Sequence, residues 1–175
     1  MKTYFEIKVP IDGNADWMKE IKQSLSDIDV HWQNGFYHIT AAFISNTVEY
    51  SKVVSIIDKH LVKQQSIFSI SLDNIDAFTI KDGHIHIIHL ASSYIPSGLS
   101  IWIDNLRSDL LANSIDIEPD FKLHVTLARV PTSGIGLEEL RRRITTPDSV
   151  LINFKTTCFE YREFRGDSIK KWDFS

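Results

Sequence analysis

Two segments constrain this chain more than any other feature. Phe36-Tyr37-His38-Ile39-Thr40-Ala41-Ala42-Phe43 and Lys122-Leu123-His124-Val125-Thr126-Leu127-Ala128-Arg129 each set His-x-Thr into a run of strand-forming residues, one in each half of the sequence. In a strand, residues two apart point to the same side. His38 and Thr40 therefore share a face, and so do His124 and Thr126. The opposite faces carry Tyr37, Ile39 and Ala41 in one segment and Leu123, Val125 and Leu127 in the other. Each strand then has an apolar side for packing and a polar side with an imidazole beside a hydroxyl. The chain's 7 histidines, with its threonines, would give roughly 0.4 such triplets by chance. Two triplets in matching phase are more than that, and a pseudo-two-fold arrangement would bring both polar faces to one cleft.

The rest of the chain reads as a mixture of strands and helices. Strands are predicted over 4–9, 36–44, 67–72, 77–81, 84–90, 122–130, 150–154, 156–164 and 169–174. Asp82-Gly83 joins the fourth and fifth as a hairpin. Helices are predicted from Asp16, as cap, to about Asp27; from an Asn46 or Thr47 cap to about Gln64, with Val53, Val54, Ile57 and Leu61 inward; over 97–111; and over 137–144. Helix, His-x-Thr strand, helix, strands thus occurs twice. Without strict βαβ alternation, this order implies an α+β fold with largely antiparallel sheets flanked by helices. Its 175 residues suit a single domain spanning 1–175, split into two lobes, and no linker-like run divides them.

Composition narrows the partners. The net charge is −4, and an acidic chain lacks the Lys and Arg excess that grips long nucleic acid. Any nucleic acid handled here is expected to be a short RNA end, an oligonucleotide or a nucleotide. The single Cys158 excludes an intramolecular disulfide and cysteine-based zinc sites. No apolar leader core opens the sequence and no stretch approaches the ~18 apolar residues of a membrane span. The default expectation is therefore cytoplasmic, with no membrane partner.

The residue types suit acid–base chemistry, in which one group takes a proton and another gives one. Histidine serves either role at neutral pH. His38 and His124 are the candidate catalytic pair, one neutral and one protonated, and their residue types do not say which is which. Thr40 and Thr126 hydroxyls are candidate donors to charge that grows on a reacting group, the phosphate oxygens if the substrate is a phosphodiester. Neither a cofactor nor a metal is required. His84-Ile85-His86-Ile87-Ile88-His89 looks like a metal site but is not expected to be one. His84 and His86 share a strand face and His89 points away, so the three do not converge without a bulge. A strand bordering the cleft, with one histidine lining it, is the favoured role over a metal site. His31 and His60 read as surface residues, and Arg141-Arg142-Arg143 as a solvated helix face. Among the tryptophans, Trp32, placed in a loop before the first motif, is the best candidate for contact with a base.

The two motifs, His38-Ile39-Thr40-Ala41 and His124-Val125-Thr126-Leu127, resemble those of the 2H phosphoesterase superfamily, which includes RNA 2′,3′-cyclic phosphodiesterases also called 2′-5′ RNA ligases. The order of elements fits over nearly the whole chain, and His-Val-Thr-Leu-Ala-Arg is close to the second motif of the RNA-processing branch. The first motif departs from that branch, which has a longer aliphatic continuation ending in Gly. The resemblance implies a two-lobed fold with a central cleft, no metal, and action on 2′,3′-cyclic or 2′-5′ phosphodiesters. It also implies base stacking and phosphate contact at the positions five after each histidine, here Phe43 and Arg129. Strict alternation would turn both to the apolar face, so this carry-over requires a bulge; the favoured reading of Phe43 is core packing, and Arg129 is read equally as a surface ion pair. Two rivals remain: the same chemistry on another substrate, such as a cyclic oligonucleotide signal, a 2′-5′ oligoadenylate or an ADP-ribose cyclic phosphate, and a non-catalytic nucleotide- or RNA-binding module.

Overall fold

The computed structural model describes residues 2–46, 48–62, 66–80 and 82–175. Along these the order is β1 (Thr3–Lys8), α1 (Asp16–Ser24), β2 (His31–Trp32), β3 (His38–Ile44), α2 (Tyr50–His60), β4 (Ser69–Leu72), β5 (Asn74–Thr79), β6 (Ile85–Ala91), α3 (Ser97–Ala112), β7 (His124–Pro131), α4 (Leu137–Arg143), β8 (Ile152–Lys155), β9 (Cys158–Glu163) and β10 (Ser168–Asp173). The strands form two four-stranded sheets, β10-β9-β1-β3 and β2-β7-β6-β5, and a small β4-β8 pair. All strand pairings are antiparallel. The class is α+β, two-lobed, with a His-x-Thr strand in each four-stranded sheet.

The helices are shared between lobes. Trp102 of α3 packs on Phe5 of β1 and Phe159 of β9. Tyr50 of α2 meets Tyr161 of β9 edge-on. Both helices thus cover the first sheet. Arg141 of α4 binds Asp76 and the Ala77 carbonyl of β5, Arg143 reaches back to Ser24 and Asp27 at the end of α1, and Lys22 of α1 lies over Trp32 of β2. These two helices lie beside the second sheet. Each helix preceding a His-x-Thr strand therefore packs beside the other motif's sheet, so the chain passes repeatedly between lobes.

Several local expectations are corrected. Asp16 is the first helical residue rather than the cap, which is Ala15 without a side-chain bond. There Asp16 favours the helix by its charge near the N-terminus. Asn46 does not cap α2: its amide donates to Ser114 O and accepts from Asp116 N–H, tying the loop to the end of α3. The helix starts four residues later, with Glu49 as cap. Thr47 and Gln64, the other expected cap and end, lie outside the described residues, as does Lys81 of the hairpin. Gly83 holds φ +73 in that hairpin, a conformation glycine adopts without cost. His31 and Trp32 form a two-residue strand on the edge of β7 rather than a loop.

The two His-x-Thr strands share one irregularity. In β3, Ala42 faces Phe5 and Thr40 faces Glu6, leaving Ala41 without a partner. In β7, Ala128 faces Ile88 and Thr126 faces His89, leaving Leu127 without one. Each is a one-residue bulge three positions after the histidine. Each freed carbonyl is taken from outside the ladder, Ala41 O by the Arg107 guanidinium at 3.3 Å and Leu127 O by Gln33 N–H at 2.8 Å. A bulge resets the alternation: both bulge residues and their successors are buried, and the next residues, Phe43 and Arg129, emerge on the side of the histidines.

Candidate active site

β3 and β7 meet where the two sheets approach. Both open on their histidine, and in both the imidazole turns back onto its own chain. His38 Nδ1 lies 3.1 Å from Phe36 O, and His124 Nδ1 lies 3.0 Å from Lys122 O. A carbonyl only accepts, so Nδ1 carries the hydrogen in both rings and the Nε2 lone pair is left for chemistry. Burial pushes both imidazoles below the usual histidine range, and a charge on His38 lowers His124 further. The two rings therefore sense one another across the lobes.

Beside His124 lies a cavity of about 540 Å³ whose walls include Thr40, Phe43, Phe78, Arg107, Lys122 and His124, while His38 and Thr126 are not among its lining residues. It draws on both lobes, and its size suits a nucleotide-sized ligand. Phe43, half-buried, lies parallel to Tyr4 at 6.5 Å and forms part of that wall. Arg129 is exposed, level with Ile87 on one neighbouring strand and His31 on the other. It shares the face of His124 and Thr126 but does not line the cavity. Thr126 stands opposite His89. Trp32 is placed beside Ala128 with Lys22 over its ring, and it does not line the cavity.

The remaining histidines separate cleanly. His86 is buried in the core, donating from Nε2 to Ile135 O at 3.0 Å and accepting at Nδ1 from the Thr79 hydroxyl at 2.8 Å. His84 is exposed, and His60 pairs with Asp109. Among the described residues, no three His, Cys, Asp or Glu side chains converge to hold a metal ion. Arg141, Arg142 and Arg143 are each ion-paired to a carboxylate.

Sequence reasoning missed most of what surrounds the two imidazoles. His89 packs edge-on against His124 at 5.7 Å between ring centres, and Phe78 does the same at 5.7 Å. Burial and then the His124 charge push His89 down. Lys122 lines the cavity with its ammonium 5.6 Å from the centre of the Phe78 ring. On the other side, Glu6 Oε2 lies 3.5 Å from His38 Nδ1, fully buried. Lys8 bridges Glu6 and Glu160. The alternation Tyr4-Glu6-Lys8 against Phe5-Ile7-Val9 in the first strand was the available signal, since it places a charged stripe on one face.

No family sequence model matches the chain, and no curated protein matches it. Solved structures do. E. coli LigT complexed with 3′-AMP aligns over 98% of this chain and 96% of its own, with TM-score 0.63 and 19% identity. Kluyveromyces marxianus Usb1 with uridine monophosphate aligns over 98% of both chains, with TM-score 0.66 and 9% identity. TT0787 of Thermus thermophilus aligns over 99% of this chain and 98% of its own, with TM-score 0.62 and 15% identity. The chain has the two-lobed α+β fold of these structures from end to end. Among the described residues no helix is long and apolar enough to cross a membrane.

Proposed function

We propose that this protein is a 2H phosphoesterase that hydrolyses 2′,3′-cyclic or 2′-5′ phosphodiester bonds of RNA ends, oligonucleotides or nucleotides by metal-free, two-histidine acid–base catalysis. The observation that carries the reading is the pairing of two bulged His-x-Thr strands, one from each lobe, with both imidazoles in the same tautomer and with Thr40 of one strand and His124 of the other lining one nucleotide-sized cavity. Two residues suffice for the proton traffic. One Nε2 takes a proton from the attacking water as the new P–O bond forms, and the other gives a proton to the ribose oxygen as the old P–O bond breaks. Solvent exchange resets both. Thr40 and Thr126 hydroxyls donate to the non-bridging oxygens as charge grows there. Arg129 and Lys122 supply positive charge, and Phe43 offers a ring for a base. The structural neighbours crystallised with 3′-AMP and uridine monophosphate support nucleotide-type substrates. Catalysis is expected in the cytoplasm.

A panel of 2′,3′-cyclic mononucleotides and 2′-5′- and 3′-5′-linked dinucleotides tests this directly. Turnover of a cyclic or 2′-5′ substrate, undiminished by EDTA, is expected, because acid, base and oxyanion donors are all side chains. Nucleotide binding without turnover across the panel would favour the binding-module rival. A strict need for an added divalent ion would overturn the metal-free part.

A further inference from the structure

The two imidazoles are alike in tautomer and unlike in what stands behind them. Behind His38, Glu6 is fully buried between β3 and β9, and one of its oxygens, Oε1, is held by Lys8. The other, Oε2, has no hydrogen-bond partner among the described residues. A buried carboxylate oxygen left unpaired is costly to keep. It lies 3.5 Å from His38 Nδ1, whose hydrogen is already directed at Phe36 O 3.1 Å away. An imidazolium at His38 would place positive charge against that oxygen. The proton gained would sit on Nε2, the nitrogen turned away from the backbone carbonyl, while the carboxylate neutralises the ring from behind. This is the division of labour by which a buried carboxylate stabilises a catalytic imidazolium without itself taking the proton. Among the described residues no carboxylate pairs with His124: Phe78 and His89 pack on its ring.

We propose that Glu6 is a positioning residue that acts through His38, holding it as the histidine that carries the proton, so that His124 is the neutral one. The inference rests on the two-histidine reading of the site and assigns the roles within it: His38 gives its Nε2 proton to the departing oxygen, and His124 accepts the proton of water. The groups facing His38 are Tyr4, Glu6 and Lys8 of β1, Glu160 and Arg162 of β9, and His124 of β7. Of the charges, Glu6 acts on the ring most strongly, ahead of the opposing Lys8 and Arg162.

The test is a histidine titration of the intact protein by NMR, with the pH profile of kcat/KM beside it. In the wild type, His38 keeps its proton to higher pH than His124. Glu6→Gln keeps the shape and removes the charge. It lowers the His38 midpoint by roughly 1 pH unit, leaves His124 almost unmoved, and draws the high-pH limb of kcat/KM down by a similar amount. A residue that only filled space would move neither. The inference is overturned if His124 holds its proton longer than His38, or if Glu6→Gln leaves the His38 midpoint in place. The wild-type order decides the question even if the variant does not fold. The order can hold in a protein that hydrolyses no phosphodiester, which would sink the functional reading and leave this one. Turnover with the order reversed would do the opposite.

Discussion

The two lobes present the same bulged His-x-Thr strand and differ in everything around it. The face of the first sheet that carries His38 also carries Tyr4, Glu6, Lys8, Glu160 and Arg162, a buried ionic network. The face of the second sheet that carries His124 holds Ile87, His89 and Phe78 beside it, with Asp76 level with His89 and Arg129 level with Ile87. On the proposed function, matched geometry would give both histidines the same reach toward a phosphate, and the unmatched surroundings would separate them into an acid and a base, the arrangement by which paired titratable residues divide their roles.

The strongest way to break the comparison is to remove one imidazole at a time. His38→Ala and His124→Ala each delete one proton transfer, and each is expected to lower kcat by roughly 10²–10⁴-fold. The double variant should be far less than multiplicatively worse, since residues acting as a unit are not additive. Steady-state kinetics on the best panel substrate gives both numbers. If one variant kept near wild-type rate with unchanged circular dichroism, that lobe would drop out of the chemistry. Thr40→Ala and Thr126→Ala should follow with losses up to about 10²–10³-fold in kcat. Equal losses would mark the two hydroxyls as symmetric donors, and a large loss in only one would show the phosphate leaning to that lobe.

A smaller effect sharpens the contrast through the bulges. Arg107 donates to Ala41 O and to the Glu118 and Pro119 carbonyls, fastening the segment that covers the free edge of β3. Arg107→Leu strips these acceptors, and the buried one, Ala41 O, left unpaired costs about 1–3 kcal/mol. Urea unfolding should show the loss, and KM should rise as Phe43 loses its bearing. An unchanged midpoint would show that the β3 bulge holds without its clamp.

The smallest effect is on stability against pH. His38, His89 and His124 are all pushed below the ordinary histidine value by burial. Their neutral forms fit the fold, so the unfolded chain binds protons first as pH falls. The stability they contribute is full above the unfolded value of about 6.5 and declines as pH drops through it toward the lower folded values. The urea midpoint should therefore fall between about pH 7.5 and about pH 5.5. His89→Phe should flatten that fall while leaving the residues of both motifs in place. A slope unchanged by His89→Phe would mean that His89 does not contribute to it.

The sequence made the class, most elements and the His-x-Thr faces legible, because alternation and helical spacing are local signals. Arg129 and Phe43 were legible only conditionally, since their side depends on a bulge. The doublets Ala41-Ala42 and Leu127-Ala128, two small or apolar residues in succession, are its trace in the sequence. Strand partners were not legible. That β9, from the C-terminal end, pairs with β1 follows from long-range packing that no window of residues contains, and it is this pairing that sets Glu160 beside Lys8 and Glu6. His89 was read as the outlier of a histidine run. Its neighbour His124 lies across a ladder whose register no local pattern reveals.

The central claim is that one phosphate engages both lobes. Titrating the wild-type protein with 3′-AMP while following the imidazole signals of His38 and His124 by NMR tests it directly. The account predicts that both signals shift together and follow one binding curve with a single Kd, and that His84, exposed and remote, stays still. A shift confined to one of the two histidines, or two curves with different Kd values, would contradict it.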